Sequence, residues 1–360
     1  GRSLVMWSPA EDRLLAQRLL AAVRAHDFGN TADSLRGGAP LAHFPSLDLA
    51  VVRFAPGAAP CCANVLFSRE HPHGLVAEMS GKSGSVGNLR FDADLQGADG
   101  ESVAWLPDAD WQQLPFKTLQ AASMATGHRF VAPYPASLLK LMVAVGVGLA
   151  VDRGLCDWPD ALMPMIVDSD NEATEVCVAL LHRLRMVAAL NDRLAELGLG
   201  TLQLNNTRAD GGWRNADGAG VGHIHMTAWD SVRLLWLLDV DAPPPPWLPP
   251  DTRLLQPATR DHLRSVLRQQ RWDHVLSSGS LRGSPGWVAG LPDAPTFAHK
   301  TGSTDNYASD AGIVQTPDCH YIVALLTSLG KRYAPTEGCA TTWRVPALGA
   351  ALHTMMETLP

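Results

Sequence analysis

The hydrophobic and polar positions of the chain divide it into three regions. Between residues 47 and 106, short apolar runs alternate with Gly, Asp and Ser clusters, a pattern that predicts strands joined by turns. From residue 138 to about 273 the text is mainly helical. Strand-like runs return at 311–314 and 320–328, and an amphipathic helix over residues 341–356 follows. The order sheet, helices, sheet and helix predicts a helical domain inserted into an α/β domain.

Several segments give sharper predictions of individual elements. Ser8, followed by Pro9 and Glu11, fits a capping box with proline at the first helical position, which predicts a helix through about Val23. Residues 47–54 predict a strand. Single helices are predicted over residues 171–197, 228–238 and 257–271.

One apolar segment contains a charged residue. Residues 138–151 predict a buried helix that is too short to cross a membrane, and Lys140 lies inside it. Pro133 and Pro135 keep the preceding backbone extended, so Ser137 falls in the first helical turn. There, free N–H groups and the helix dipole favour a developing negative charge. Lys140 follows one turn later on the same face.

A lysine in an apolar helix is costly unless it is paired or has lost its proton. A neutral amine beside a hydroxyl can take the hydroxyl proton and make the oxygen a nucleophile. The alternative is a helix-start serine beside a snorkelling lysine, and the Ser-x-x-Lys pattern alone does not decide between them.

Composition excludes several classes of protein. The 360 residues are 46% hydrophobic and 18% charged, which suits one or two well-packed globular units. A formal net charge of −7 gives no broad basic surface, so we expect no nucleic-acid partner. The six cysteines contain no Cys-x-x-Cys pair, and we expect no metal or other cofactor. We also expect no membrane span.

Two further polar motifs follow along the chain. Ser169-Asp170-Asn171 precedes a predicted helix, where all three residue types are common N-caps. Lys300-Thr301-Gly302, with Ser303 after it, follows a strand-like segment, where a Thr-Gly pair commonly turns the chain. Each motif alone therefore has an ordinary structural explanation.

In combination and in this order, Ser-x-x-Lys, Ser-Asp-Asn and Lys-Thr-Gly resemble the signature of penicillin-binding proteins and class A β-lactamases. The resemblance covers most of residues 130–360, whereas residues 1–129 match the family poorly. It implies an α/β plus all-α fold, with an antiparallel sheet flanked by helices and an inserted helical domain. Residues 1–135 and 274–360 would form the sheet domain and residues 136–273 the helical domain, with the active site at their interface.

The resemblance also implies catalytic roles. Ser137 resembles the family's acylated nucleophile, and Lys140 resembles the amine that assists it. Ser169 resembles the hydroxyl that relays a proton to the leaving nitrogen. Lys300 near Lys140 would disfavour two positive charges and so lower the proton affinity of Lys140.

Other matched residues resemble the family's substrate-binding groups. Asn171 resembles the amide that holds Lys140 and substrate, and Lys300 and Thr301 resemble the groups that bind a substrate carboxylate. Gly302 and Ser303 complete this segment. The backbone N–H groups of Ser137 and Ser303 are predicted to form an oxyanion hole, whose donors contribute about 3 kcal/mol each in other enzymes.

The chain departs from the class A pattern in its loop at residues 198–222. That loop lacks the glutamate that activates the deacylating water in class A enzymes, and none occurs between Glu196 and Glu337. We take Asp210 as the candidate base, although a loop aspartate is commonly a turn residue. The other titratable candidates in this region are Asp217, His223 and His225.

The sequence therefore predicts a serine hydrolase that forms an acyl-enzyme on Ser137, with a β-lactam as first substrate and a slow second step. One alternative is a D,D-peptidase or an esterase or amidase acting on another acyl compound. Another is a β-lactam-binding sensor or sink that acylates once. We expect a small carboxylate-bearing substrate, a monomer, and a periplasmic or secreted location, with a signal peptide absent from this sequence.

Overall fold

The structure is a computed structural model that describes residues 8–79, 84–94, 110, 113–114, 116–120, 127–213 and 224–360. Its helices are α1 (Pro9–Ala25), α2 (Leu139–Asp152), α3 (Leu162–Val167), α4 (Asn171–Arg183), α5 (Met186–Glu196), α6 (Ala228–Leu238), α7 (Pro257–Leu267) and α8 (Arg344–Thr358). Its strands are β1 (Ala32–Asp33), β2 (Ala39–Pro40), β3 (Leu47–Phe54), β4 (Cys61–Phe67), β5 (Leu75–Val76), β6 (Leu89–Ala93), β7 (His128–Ala132), β8 (Gln203–Leu204), β9 (Ile224–His225), β10 (Phe297–Ser303), β11 (Ala308–Gln315) and β12 (His320–Thr327). Residues 102–106, the end of the region predicted to contain strands, lie outside the described residues.

The main sheet has six strands in the order β10-β11-β12-β3-β4-β5, and every neighbouring pair is antiparallel. Strands from the two ends of the chain meet in its middle, where β12 pairs with β3 and Ala324 lies opposite Ala50. The helices α2 to α7 come between them in sequence. This confirms the predicted antiparallel sheet flanked by helices and leaves β10 at the sheet edge.

Both faces of the sheet are covered. On β3, Leu49 and Val51 pack into an apolar cluster with residues of α1 and α8, while Ala50 and Val52 pack on the other side with α2 and α6. The cluster that contains Ala50 and Val52 includes residues of both the sheet and the helices α2 and α6. The division into a sheet domain and a helical domain therefore stays a prediction.

Helix α2 lies at the centre of the helical region. Every residue from Leu139 to Ala150 is buried, including Lys140. Gly146 lets the helix approach its neighbours, since a Cβ there would lie 3.0 Å from the side chain of Leu181 on α4. Among the described residues, no helix is both long and apolar enough to span a membrane.

Two predicted helices differ from the structure. The single helix expected over residues 171–197 is broken into α4 and α5 by Arg185, whose φ of 56° is left-handed. Neither glycine nor proline marks this break in the sequence. The helix expected to reach residue 271 ends at Leu267, and the backbone N–H of Arg271 instead donates to the carbonyl of Val167, the last residue of α3 (3.1 Å).

Candidate active site

The turn that carries Ser137 is held in an unfavourable backbone conformation. Ala136 has a φ of 53°, which costs free energy for a residue with a side chain. Residues Ala136–Leu138 form one 3-10 turn that leads into α2. The hydroxyl of Ser309 on β11 donates to the carbonyl of Pro135 (2.5 Å) and fixes the turn from the sheet side. Ser137 is half-buried between two buried neighbours at the start of the helix.

Gly302 brings β10 into contact with this turn. A Cβ at this position would lie 2.7 Å from the backbone nitrogens of Ser137 and Leu138 and from the carbonyl oxygen of Pro135. Real Cβ contacts are not that short, so only glycine permits the approach. The close packing places the Lys-Thr-Gly segment directly beside the candidate nucleophile.

Ser169 lies between the two lysines of the site. Its hydroxyl oxygen is 3.2 Å from Lys140 Nζ and 3.0 Å from Lys300 Nζ. Ser169 also has a left-handed φ of 56°, which directs the loop before α4 into the cleft. Because both amines can donate to this oxygen, its own hydroxyl proton is left to point elsewhere.

In the Ser-Asp-Asn motif, Asp170 caps the following helix and Asn171 contacts Lys140. Asp170 is the N-cap of α4, and its carboxylate accepts from the backbone N–H of Ala173 (2.9 Å). Asn171 begins the helix, and its Oδ1 accepts from Lys140 Nζ (2.8 Å). Lys140 also donates to the backbone carbonyl of Ser169 (2.7 Å).

The contact between Ser137 and Lys140 stays a prediction. The Lys140 amine donates to Ser169 and Asn171. The spacing of three residues keeps the side chains of Ser137 and Lys140 on one helix face. Hydrogen bonds between catalytic groups commonly tighten only when substrate binds.

The two buried amines repel each other. Lys140 and Lys300 are both fully buried, and both lie within hydrogen-bond distance of the same Ser169 oxygen. Burial first, and then the charge of Lys140, hold the pKa of Lys300 well below its usual value, while Asp310 acts in the opposite direction. The Lys300 amine also donates to the Thr301 carbonyl (2.7 Å). This environment disfavours protonation of both amines at once.

The backbone of β10 is suited to binding an oxyanion. The N–H of Thr304 donates to the carbonyl of Tyr307 on the β11 side (2.8 Å). Since successive N–H groups of a strand point to opposite edges, the N–H of Ser303 points away from β11, toward the free edge of the sheet. Ser137 N lies beside Gly302 at this edge. The predicted pairing of these two N–H groups as an oxyanion hole stays a prediction with compatible geometry.

Asp210 is not joined to this cluster. Its side chain is 73% exposed, its carboxylate accepts from the backbone N–H of Gly212 (2.9 Å), and Arg208 lies 3.5 Å away. These contacts are those of a turn residue, so a role for Asp210 as a base stays a prediction that they do not support. His225 is buried in β9, and Asp217 and His223 lie outside the described residues.

Sequence reasoning missed a buried carboxylate–histidine–carboxylate network next to Lys300. His299 Nδ1 is 2.7 Å from Asp310 and its Nε2 is 2.8 Å from Asp273. Burial alone would lower the pKa of His299, but the charges of Asp310 and Asp273 and the hydrogen bonds to both raise it to about 9. The only sequence signal was a histidine in an apolar strand, because its partners are 26 and 11 residues away.

Comparison with known proteins identifies the family. Residues 156–342, just over half of the chain, match the model of the beta-lactamase enzyme family. The match contains Ser169, Asn171 and Lys300, and it begins after Ser137 and Lys140. The chain therefore belongs to the beta-lactamase enzyme family and is a β-lactamase-like serine hydrolase. No curated protein sequence matches it.

Solved structures share the fold at low sequence identity. A β-lactamase from Sphaerobacter thermophilus is 16% identical, with 96% of this chain and 98% of that one covered and a TM-score of 0.51. A variant of PBP-A, in an acyl-enzyme complex with penicillin G, is 17% identical over 96% and 97% of the two chains, with a TM-score of 0.51. A β-lactamase from Streptosporangium roseum is 13% identical over 95% and 100%, also with a TM-score of 0.51. These likenesses show the fold alone.

Proposed function

We propose that the protein forms an acyl-enzyme on Ser137, with a β-lactam as the substrate. The observation that carries the proposal is the position of the Ser169 hydroxyl, 3.2 Å from Lys140 Nζ and 3.0 Å from Lys300 Nζ. Gly302 packs the Lys300 strand against the turn of Ser137. Nucleophile, two amines and a relay hydroxyl therefore share one cleft between α2, the Ser169 loop and β10.

In the first step, Lys140 acts as the base. Because Lys140 and Lys300 are buried beside the same Ser169 oxygen, protonation of both amines at once is disfavoured, and with the proton on Lys300 the neutral Lys140 takes the Ser137 proton as Oγ attacks the lactam carbonyl carbon. The carbonyl oxygen gains negative charge and accepts from the N–H groups of Ser137 and Ser303. Both donors are backbone groups on packed elements, so they need little reorganisation.

In the second step, the lactam C–N bond breaks. Ser169 gives its hydroxyl proton to the leaving nitrogen and regains one from Lys140, which carries the proton it took from Ser137. Lys140 thereby returns to its neutral state, and the protons balance. Burial and Lys140 lower the pKa of Lys300, but a substrate carboxylate beside the leaving nitrogen favours its protonated form, so Lys300 with Thr301 binds that carboxylate.

The proposed substrate class is supported by a protein of the same fold and by the groups around Ser169. The PBP-A variant that shares this fold is titled as an acyl-enzyme complex with penicillin G. A buried amine at Lys300, which a substrate carboxylate would help to protonate, and a hydroxyl at Ser169 suit an anionic cyclic amide. A D,D-peptidase or esterase activity would use the same groups on an open-chain acyl substrate.

Hydrolysis of the acyl-enzyme is expected to be the slow step. Release of the acyl group needs a positioned water and a base, and Asp210 is exposed and bound within its own turn. This observation favours a second candidate function, a sink or sensor that acylates once. Steady-state nitrocefin hydrolysis separates the two, since sustained turnover rejects the sink and a single stoichiometric burst rejects the β-lactamase.

Intact-mass spectrometry after exposure to benzylpenicillin tests the acylation step. We expect a mass increase of one penicillin per chain in the wild-type protein and none in Ser137→Ala. Ser265→Ala, an exposed serine on α7, is the matched control and should acylate normally. An unmodified wild-type protein, or an adduct that survives Ser137→Ala, would overturn the proposal.

A further inference from the structure

Residues 270–274, which follow α7, form a strap that is tied to both walls of the cleft. The side-chain amide of Gln270 donates to the backbone carbonyl of Ile166 in α3 and to that of His299 on β10, at 3.2 Å each. Ile166 lies three residues before Ser169, and His299 lies next to Lys300. The buried amide of Gln270 therefore links the segment before Ser169 to the strand that carries Lys300.

The strap is also held against the loop before Ser169. The indole N–H of Trp272 donates to the backbone carbonyl of Asp168 (2.9 Å), the residue bonded directly to Ser169. Arg271 forms an ion pair with the Asp168 carboxylate (3.1 Å). These contacts fix the direction of the Trp272 ring while 38% of the residue stays exposed.

The other end of the strap is clamped to the sheet. Asp273 accepts from His299, which also bonds to Asp310 on β11. Asp310 in turn accepts from the backbone N–H of Leu276 (3.0 Å). All three ionisable residues of the clamp are buried. The strap is therefore a fixed wall of the site.

The strap also carries an aromatic pair near Lys300. Trp272 stacks on His274, with ring centroids 5.8 Å apart and an interplanar angle of 25°. Burial first, and then the nearby charge of Lys300, lower the pKa of His274 to about 3. At neutral pH His274 is therefore uncharged, and the pair presents two flat neutral rings, with His274 close enough to Lys300 to be affected by its charge.

We infer that Trp272 is a specificity-determining residue that contacts the leaving-group half of the substrate and favours a flat apolar substituent next to the carboxylate. The inference rests on the proposed function, in which Ser169 protonates the leaving nitrogen and Lys300 holds the carboxylate. Both groups belong to the leaving-group half, and the strap is bonded to the neighbours of both. Stacking on an aromatic substituent would stabilise the complex beyond simple apolar contact.

Nitrocefin and cephalothin test this inference, because they share the acylamino side chain and differ in the substituent beside the carboxylate. That substituent is a dinitrostyryl group in nitrocefin and a smaller acetoxymethyl group in cephalothin. In Trp272→Ala we expect the second-order rate of Ser137 acylation by nitrocefin to fall about fivefold more than that by cephalothin. Trp272→Phe keeps a ring and should retain most of the preference.

Trp287→Ala is the matched control, because the Trp287 indole bonds to the carbonyl of Ser278 and not to the Ser169 loop. It should leave the ratio of the two rates unchanged, and thermal melting verifies that all variants fold. An unchanged ratio in Trp272→Ala, or an equal loss with both compounds, overturns the inference. Absence of any Ser137 adduct in the wild-type protein instead overturns the proposed function on which it rests.

Discussion

The Ser169–Lys300 side of the cleft and the loop at residues 208–213 differ in how their polar groups are satisfied. In the cleft, two fully buried amines share a single hydroxyl oxygen at 3.2 and 3.0 Å. In the loop, the carboxylate of Asp210 is exposed and accepts from its own turn. Two buried amines at one oxygen would destabilise the fold if both were charged, whereas an exposed aspartate that accepts from its own turn has a local structural explanation. The contrast fits the proposed acylation on Ser137 and does not support Asp210 as the base for deacylation.

The largest expected effect comes from removing the amine of Lys140. Lys140→Met fills the same buried space without a base, so acylation by benzylpenicillin should slow about 10³-fold, within the range for loss of a general base. Time-resolved intact-mass spectrometry gives the rate. Lys117→Ala removes an exposed lysine and should acylate at the wild-type rate. Wild-type rates in Lys140→Met would show that the buried amine is not the base.

Gly302→Ala should have the next largest effect. The added Cβ would lie 2.7 Å from the backbone nitrogen of Ser137, so β10 must move away from the turn and the two N–H donors separate. We expect about a 10²-fold loss of acylation rate, as for a lost oxyanion donor. Gly200→Ala meets open space and serves as the control. Equal rates for the two variants would show that the contact between β10 and the turn does not support the reaction.

The residues on the Ser169–Lys300 side of the cleft could largely be predicted from sequence, because they occur in short motifs. Ser137, Ser169 and Lys300 occur within triplets whose order is informative, and the structure brings all three to one cleft. The left-handed conformations of Ala136 and Ser169 could not be predicted, since neither residue favours positive φ.

Long-range contacts explain most of what sequence reasoning missed. The partners of His299 lie on a separate strand and on the strap, and no local periodicity links them. The break between α4 and α5 at Arg185 could not be predicted, because no glycine or proline occurs there. The predicted bounds of β3 and of α6 were confirmed, because a short apolar run that ends at Pro56 and Gly57 and a helical spacing of apolar residues are local signals.

The buried His299, next to Lys300, should also affect the free energy of unfolding at high pH. The pKa of His299 is raised to about 9 from an ordinary 6.5, so its contribution is complete below pH 6.5 and is lost as pH rises through 9. The shift corresponds to about 3 kcal/mol. Lys300, with its lowered pKa, changes stability in the opposite direction over this range. The difference between wild type and His299→Gln therefore isolates the histidine.

Urea unfolding from pH 6 to pH 10 measures this contribution. Wild type should be more stable than His299→Gln at pH 6, and the gap in unfolding free energy should narrow as pH rises from 6.5 to about 9 and stay small above that. His73→Gln removes an exposed histidine and should follow the wild-type curve. A gap that stays constant over the whole range would show that the charge of His299 does not stabilise the fold.

The smallest effect is expected at Asp210, and it tests the other side of the comparison. Asn can accept the Gly212 N–H as Asp does, so Asp210→Asn preserves the turn while removing the charge. If Asp210 is only a turn residue, the rate at which the penicilloyl adduct disappears should change less than about twofold, since surface substitutions away from functional contacts have small effects. Asp210→Ala, which also removes the acceptor, should loosen the loop without altering that rate further. A slowing of about 10²-fold in Asp210→Asn would be the signature of a general base and would erase the contrast between the two regions.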